Sequence, residues 1–258
     1  MKLAIHAQLD YQFEHPTDVL LQLEAAAIPE QQIEAAHIDI SEGEHFARVD
    51  AHDEIGERIW LRIQGQLLID YKATVSIERL LTDCLALPKV PPHQLPGETV
   101  QYLMASRYCP SDQFQCFVDA EFGRLQGGER VIAMRDWVHS HLSYVPGASD
   151  SDTTALETFV KRQGVCRDYA HLMITLVRAS GIPARLASVY ALGVEPQDFH
   201  AVAEVFLGGE WHLVDATGMA KEAAMAKIGI GRDAADVAFL TAYGLARVNS
   251  QSVRVDAA

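Results

Sequence analysis

The sequence predicts an α+β protein in two parts: an N-terminal β-sandwich, then a core in which a helix bearing a cysteine packs on an antiparallel sheet. Three observations carry that expectation. Apolar residues alternate along the first part, a proline-rich stretch interrupts the chain, and beyond it helical periodicity comes first and a run of strands follows. The expected division is a β-rich domain over 1–90, a linker over 91–98 and a second domain over 99–258.

In the first part, Leu3, Ile5, Ala7 and Leu9 share a parity that Tyr11 and Phe13 continue. Ile38 and Ile40, Trp60–Ile63 and Leu67–Tyr71 follow the same rule, and Asp53–Glu57 has the composition of a hairpin connection. Only Thr17–Ala27 has a helical period, and there the reading is ambiguous. No cluster of chemically useful side chains stands out in this part. Pro88–Gly97 then holds four prolines in ten residues. Proline fixes its own backbone, biases its predecessor away from helix and donates no ladder hydrogen bond, so this is where the chain divides.

Beyond the linker, Val131, Met134, Trp137, Val138 and His141 lie on one side of a helix over Gly128–His141. Thr154 and Glu157 form a capping box for a short helix over Ala155–Val160. Gly164 suits a tight backbone just ahead of Cys166. From Tyr169 the stripe Tyr169, Leu172, Met173, Leu176, Val177 marks a half-buried helix, with Gly181 at its C′ position and Pro183 preventing its continuation. Cys166 therefore stands at a helix N-terminus, where free N–H groups and the positive dipole end favour a thiolate.

Strands follow at Arg185–Ala191, His200–Leu207 and Trp211–Ala216. Gly208-Gly209 reads as a two-residue hairpin loop that sets Leu207 opposite Glu210. In that register Val202 faces Asp215, and His200 is the diagonal neighbour of Asp215 on the same side, within reach of an imidazole and a carboxylate. His212 pairs with Val205 and points the other way. The register therefore selects His200 as the base and Asp215 as its orienter.

That set supports nucleophilic chemistry. His200 deprotonates Cys166 or shares an ion pair with it, the thiolate attacks an amide or ester carbonyl, and Asp215 fixes the imidazole tautomer. The backbone N–H of Cys166 is the natural first donor to the oxyanion, with Gln163 or Tyr144 as candidates for the second. Glu204 shares the His200 face and either supports the site or bridges to Arg185.

Several neighbours have plainer readings. Asp168 is a first-turn carboxylate favoured by the helix dipole, and His171 lies off the thiol's face. Cys109 and Cys116, with His139 and His141, meet no zinc spacing, so no metal is expected. Neither Gly127-Gly128 nor Gly229-Ile230-Gly231 matches a phosphate loop.

Composition narrows the partners. With 258 residues, 49% apolar and 22% charged, the chain can bury substantial cores. A net charge of −14 repels nucleic acid and anionic membrane surfaces, so neither is expected as a partner. The apolar run in Met1–Asp10 is too short for a signal peptide, and no later stretch approaches a membrane span. Four cysteines do not make a disulfide framework in a chain this long, so a reducing cytoplasm is expected.

Gly164–Asp168, Gly181–Arg185, Phe199-His200-Ala201 with Glu204, then Trp211 and Asp215, together resemble the bacterial transglutaminase-like cysteine peptidase family. The resemblance runs from about Tyr108 to Gly244 and includes Arg107–Asp112 and Gly231–Val237. It implies a papain-like core with a Cys166–His200–Asp215 triad, and thiol-dependent peptidase, amidase or amide-crosslinking activity on a peptide or protein through a thioester, with no cofactor. The β-rich first part is similar to the N-terminal domain commonly joined to that core. One position departs: the family usually has Trp two residues after the histidine, and here stands Val202. Hydrolysis is the expected outcome. Transamidation through the same triad, and a non-catalytic protein-binding module on the same scaffold, are the alternatives.

Overall fold

The computed structural model describes residues 1–258. Four strands come first: β1 (Lys2–Leu21), β2 (Gln31–Ile40), β3 (His45–Asp50) and β4 (Glu57–Ile77). After short 3-10 turns come helices α1 (Gln115–Phe122) and α2 (Gly127–His141), strand β5 (Ser143–Tyr144), helix α3 (Ala155–Lys161), strand β6 (Gln163–Gly164) and helix α4 (Cys166–Ala179). Strands β7 (Ala184–Ala191), β8 (His200–Leu207), β9 (Glu210–Val214), β10 (Met225–Gly231), β11 (Leu240–Ala242) and β12 (Arg247–Ala257) complete the chain.

The alternation read in the first part is the inward face of β1, where Leu3, Ile5, Ala7, Leu9, Tyr11 and Phe13 are buried. After an exposed Glu14–Pro16 the odd positions Thr17, Val19 and Leu21 are again inside, so the segment with ambiguous period begins as strand rather than helix. β1 and β4 pair antiparallel from Lys2↔Ser76 to Phe13↔Gly65, and again from Thr17↔Ile63 to Leu21↔Ile59. The interruption carries Pro16, which has no N–H for the ladder. It adds an even number of residues to β1, so the buried parity survives it.

The expected sandwich is a single hydrogen-bonded sheet of six strands. β2 lies along one half of β4 and β3 along the other. On β1, β12 occupies the first half and β11 the second. The two halves share one hydrophobic core. The last two strands, which fall within 99–258, are built into this first sheet, with Leu3 paired to Ala257. Hydrophobic alternation could not reveal that pairing, because β12 is largely exposed.

The second sheet has the antiparallel order β10-β7-β8-β9. Leu172, Met173, Leu176 and Val177 of α4 pack with Ala184, Leu186, Ala203, Val205 and Leu207 in one core. β10 escapes a sequence reading because Lys227, Gly229 and Gly231 interrupt its apolar residues. The lysine is nevertheless buried, ion-paired to Glu30 and Glu204. The proline-rich segment is packed down: Gly128 and Gly208 donate their N–H groups to Leu87 and Pro88 carbonyls at 2.8 and 2.9 Å.

The sheets are joined at several points. Tyr190 donates to the Leu23 carbonyl at 2.6 Å, and the Gln31 amide donates to the carbonyls of Ala26 (2.7 Å) and Lys227 (2.8 Å). No helix is long and apolar enough to cross a membrane.

Candidate active site

Cys166 is the first residue of α4, and its placement depends on the turn before it. Asp168 is fully buried and accepts from the Val165 N–H at 2.8 Å, the Ser149 hydroxyl at 2.5 Å and the Arg167 guanidinium at 3.1 Å. It is a helix-start carboxylate, as the sequence indicates. Gly164 is needed for space: a Cβ there would lie 2.6 Å from the Asp168 Cβ. Its φ is not in the left-handed region, so the reason for glycine is close approach rather than an unusual backbone.

His200 opens β8, and Asp215 follows the last residue of β9. The Gly208-Gly209 turn has φ of +62° and +97°, and the ladder it starts runs from Leu207↔Glu210 to Ala203↔Val214, the expected register. Val205 faces His212, also as expected. His200 Nε2 donates to Asp215 Oδ2 at 3.1 Å. Its Nδ1 is buried with no hydrogen-bond partner, on a ring that lines the same cavity as Cys166. Burial opposes charge on the ring, but the bond to Asp215 and the neighbouring thiol outweigh it and raise the pKa to about 9. Cys166 Sγ also lies 3.9 Å from the Phe199 carbonyl oxygen.

Asp215 is held on all sides. Oδ1 accepts from the Thr217 N–H at 2.8 Å and its hydroxyl at 2.7 Å, and Oδ2 also accepts from the Ala220 N–H at 3.0 Å. Burial pushes the carboxyl up, yet these bonds and the imidazole keep it below its ordinary range. Thr217 and Ala220 were not singled out from sequence. The Asp-x-Thr spacing of an Asx turn was the available signal.

Of the supporting residues, the structure brings one to the thiol. Tyr144 pairs with Gly164 across the β5–β6 bridge, which sets its side chain near the Cys166 thiol. Burial and the thiol push its pKa up to about 12, so it stays a neutral hydroxyl. Gln163 is exposed and pairs through its backbone with Ser143, away from the thiol. Glu204 is fully buried in an ion cluster, 2.6 Å from Arg185 and also bonded to Lys227, so it does not support the imidazole. The two positively charged partners hold its carboxyl down at about 2 despite burial.

The Gly231–Val237 stretch, opaque in the sequence, acquires a physical account. Asp233 accepts from the Tyr108 N–H at 2.9 Å, and Ala234 donates its N–H to His171 Nε2 at 3.1 Å. His171 is buried, stacked on Tyr108 at 5.0 Å, and desolvation lowers its pKa to about 4. The stretch is thereby tied to α4 and forms one wall of a cavity of about 310 Å³ beside Cys166 and His200.

Comparison with known proteins agrees with this architecture. The model of the transglutaminase-like superfamily matches residues 119–216, which include the cysteine, histidine and aspartate described above. A solved structure titled "a Putative Cysteine Protease from Cytophaga hutchinsonii" is 32% identical, with all of this chain and 90% of that chain covered and a TM-score of 0.92. The Mycobacterium leprae protein ML0607, described as uncharacterized, is 32% identical over 117 residues, 42% of this chain and 42% of its own length. With the Cys166 helix, the antiparallel sheet carrying His200 and this full-length likeness in agreement, the chain belongs to the transglutaminase-like superfamily.

Proposed function

We propose that the protein performs thiol-dependent acyl transfer on amide bonds of a peptide or protein, with hydrolysis as the outcome. The observation that carries this reading is the buried imidazole of His200 on the same cavity as Cys166: Nε2 bonds Asp215 at 3.1 Å, and Nδ1 is left without a partner. His200, charged below about pH 9, holds the proton of the thiol in an ion pair with Cys166, and Sγ attacks the carbonyl carbon as thiolate. The oxyanion is received by the Cys166 N–H and the Tyr144 hydroxyl.

As the intermediate collapses, the C–N bond breaks and the imidazolium gives its proton to the departing amine, leaving a thioester. Water then attacks the thioester, His200 accepts its proton, and the C–S bond breaks as the acid leaves. Asp215 holds the ring and stabilises its cation throughout. No metal or cofactor is required by these steps. An intracellular, cytoplasmic setting keeps the thiol reduced and suits this chemistry; all four cysteines are free.

Mass spectrometry of the protein quenched during turnover of a peptide pool tests the proposal. The expected result is an acyl adduct on Cys166 that decays in water. Turnover that survives Cys166→Ala would place the chemistry elsewhere. Adding a labelled primary amine measures the partition: predominant amide product would mean transamidation.

A further inference from the structure

Beside the Cys166 thiol, nine of the thirteen residues lining the cavity are apolar. Phe199 and Phe239 stack at 4.4 Å with their planes 11° apart, and Leu186, Ala201, Val237 and Ala238 continue the wall. The wall is already fixed: the Phe239 carbonyl accepts from the Gln22 N–H at 2.9 Å, and Phe199 packs on Tyr190 at 5.6 Å. Apart from His200, Arg167 is the one charged side chain at the cavity. Its Nη2 is engaged by the Asp150 carbonyl at 2.5 Å and Asp168 at 3.1 Å, while its buried Nε has no partner. A charged group entering here would lose water against a mostly apolar lining that offers no carboxylate to a cation and to an anion only a guanidinium already paired with Asp168.

We propose that this cavity is a specificity pocket for an uncharged side chain of leucine or phenylalanine size, on the peptide whose carbonyl meets Cys166. The proposal rests on the thiol reading above and adds the class of substrate. A volume of about 310 Å³, at the small end for ligand pockets, has room for one such side chain beside the reacting carbonyl.

The test uses the full chain and four alkylating probes near neutral pH: acetyl-Leu-Leu-, acetyl-Asp-Asp- and acetyl-Lys-Lys-chloromethyl ketone, with iodoacetamide as the pocket-independent reference. Adduct formation at Cys166 is followed by peptide mass mapping. Relative to iodoacetamide, the leucine probe should react at least roughly tenfold faster than either charged probe. Ala238→Glu should reduce that preference and favour the lysine probe; should this variant not fold, the wild-type panel alone decides. Equal rates, or a faster charged probe, overturn the pocket while leaving the nucleophile standing. Failure of iodoacetamide to modify Cys166 overturns the thiol reading, and the pocket with it.

Discussion

His200 and Asp215 meet at 3.1 Å although neither is the other's partner in the β8–β9 ladder, which closes at Ala203↔Val214. Their contact is a diagonal one, set by a two-glycine turn at the far end of the hairpin. Asp215→Asn tests it. The amide keeps the shape but cannot stabilise an imidazolium, so kcat should fall by about 10²–10⁴-fold while the circular dichroism spectrum of the native fold is retained. A drop of less than threefold would remove Asp215 from the reaction.

The cysteines should separate by reactivity. Burial raises the Cys109 thiol to about 12 and, with nearby carboxylates, Cys84 to about 11, whereas Cys166 stands at a helix N-terminus beside a buried imidazole. Timed iodoacetamide labelling near neutral pH should modify Cys166 first, exposed Cys116 second, and Cys84 and Cys109 last. Labelling of Cys116 ahead of Cys166 would contradict the activated thiol.

The His200 pair sets a pH dependence with a definite sign. The folded-state pKa is about 9, above the unfolded value near 6.5, so the pair's stabilisation is complete below about 6.5 and is lost as pH rises through 9. Urea unfolding across that window should show wild-type stability falling more steeply than that of Asp215→Asn. The same ionisation gives turnover an alkaline limb near 9. Parallel stability curves for the two proteins would refute the assignment.

Much of this site was legible because its information is local. An apolar stripe that places a helix start, a parity rule and a two-glycine turn suffice to choose Cys166, His200 and Asp215 without coordinates. Glu204 shows where that reasoning stops: strand parity puts it on the His200 side, but only the fold reveals Lys227, which arrives from β10 to join Arg185 around it. Asp233 and His171 were opaque for the same reason, since their partners are Tyr108 and Ala234, remote in the chain. The single six-stranded sheet was missed because its closing strands are short or largely exposed.

Glu204→Ala should therefore act on stability rather than on chemistry. Removing the carboxylate leaves Arg185 and Lys227, each about 5% exposed or less, without their shared buried counter-ion and with only the more exposed Asp53 and Glu30 as partners. Loss of one partner of a buried pair costs about 3–5 kcal/mol. Chemical denaturation should register that loss, while turnover per folded molecule stays near wild type. A variant as stable as wild type would show the cluster to be energetically neutral.

The pairing of Leu3 with Ala257 has a consequence for biosynthesis. During translation, β1 emerges long before its flanking strand exists, so one edge of the opening sheet stays unsatisfied while the segment bearing Cys166, His200 and Asp215 is made. Native pairing there waits for the ribosome to finish β12, and until then that bare edge is open to pairing with other strands.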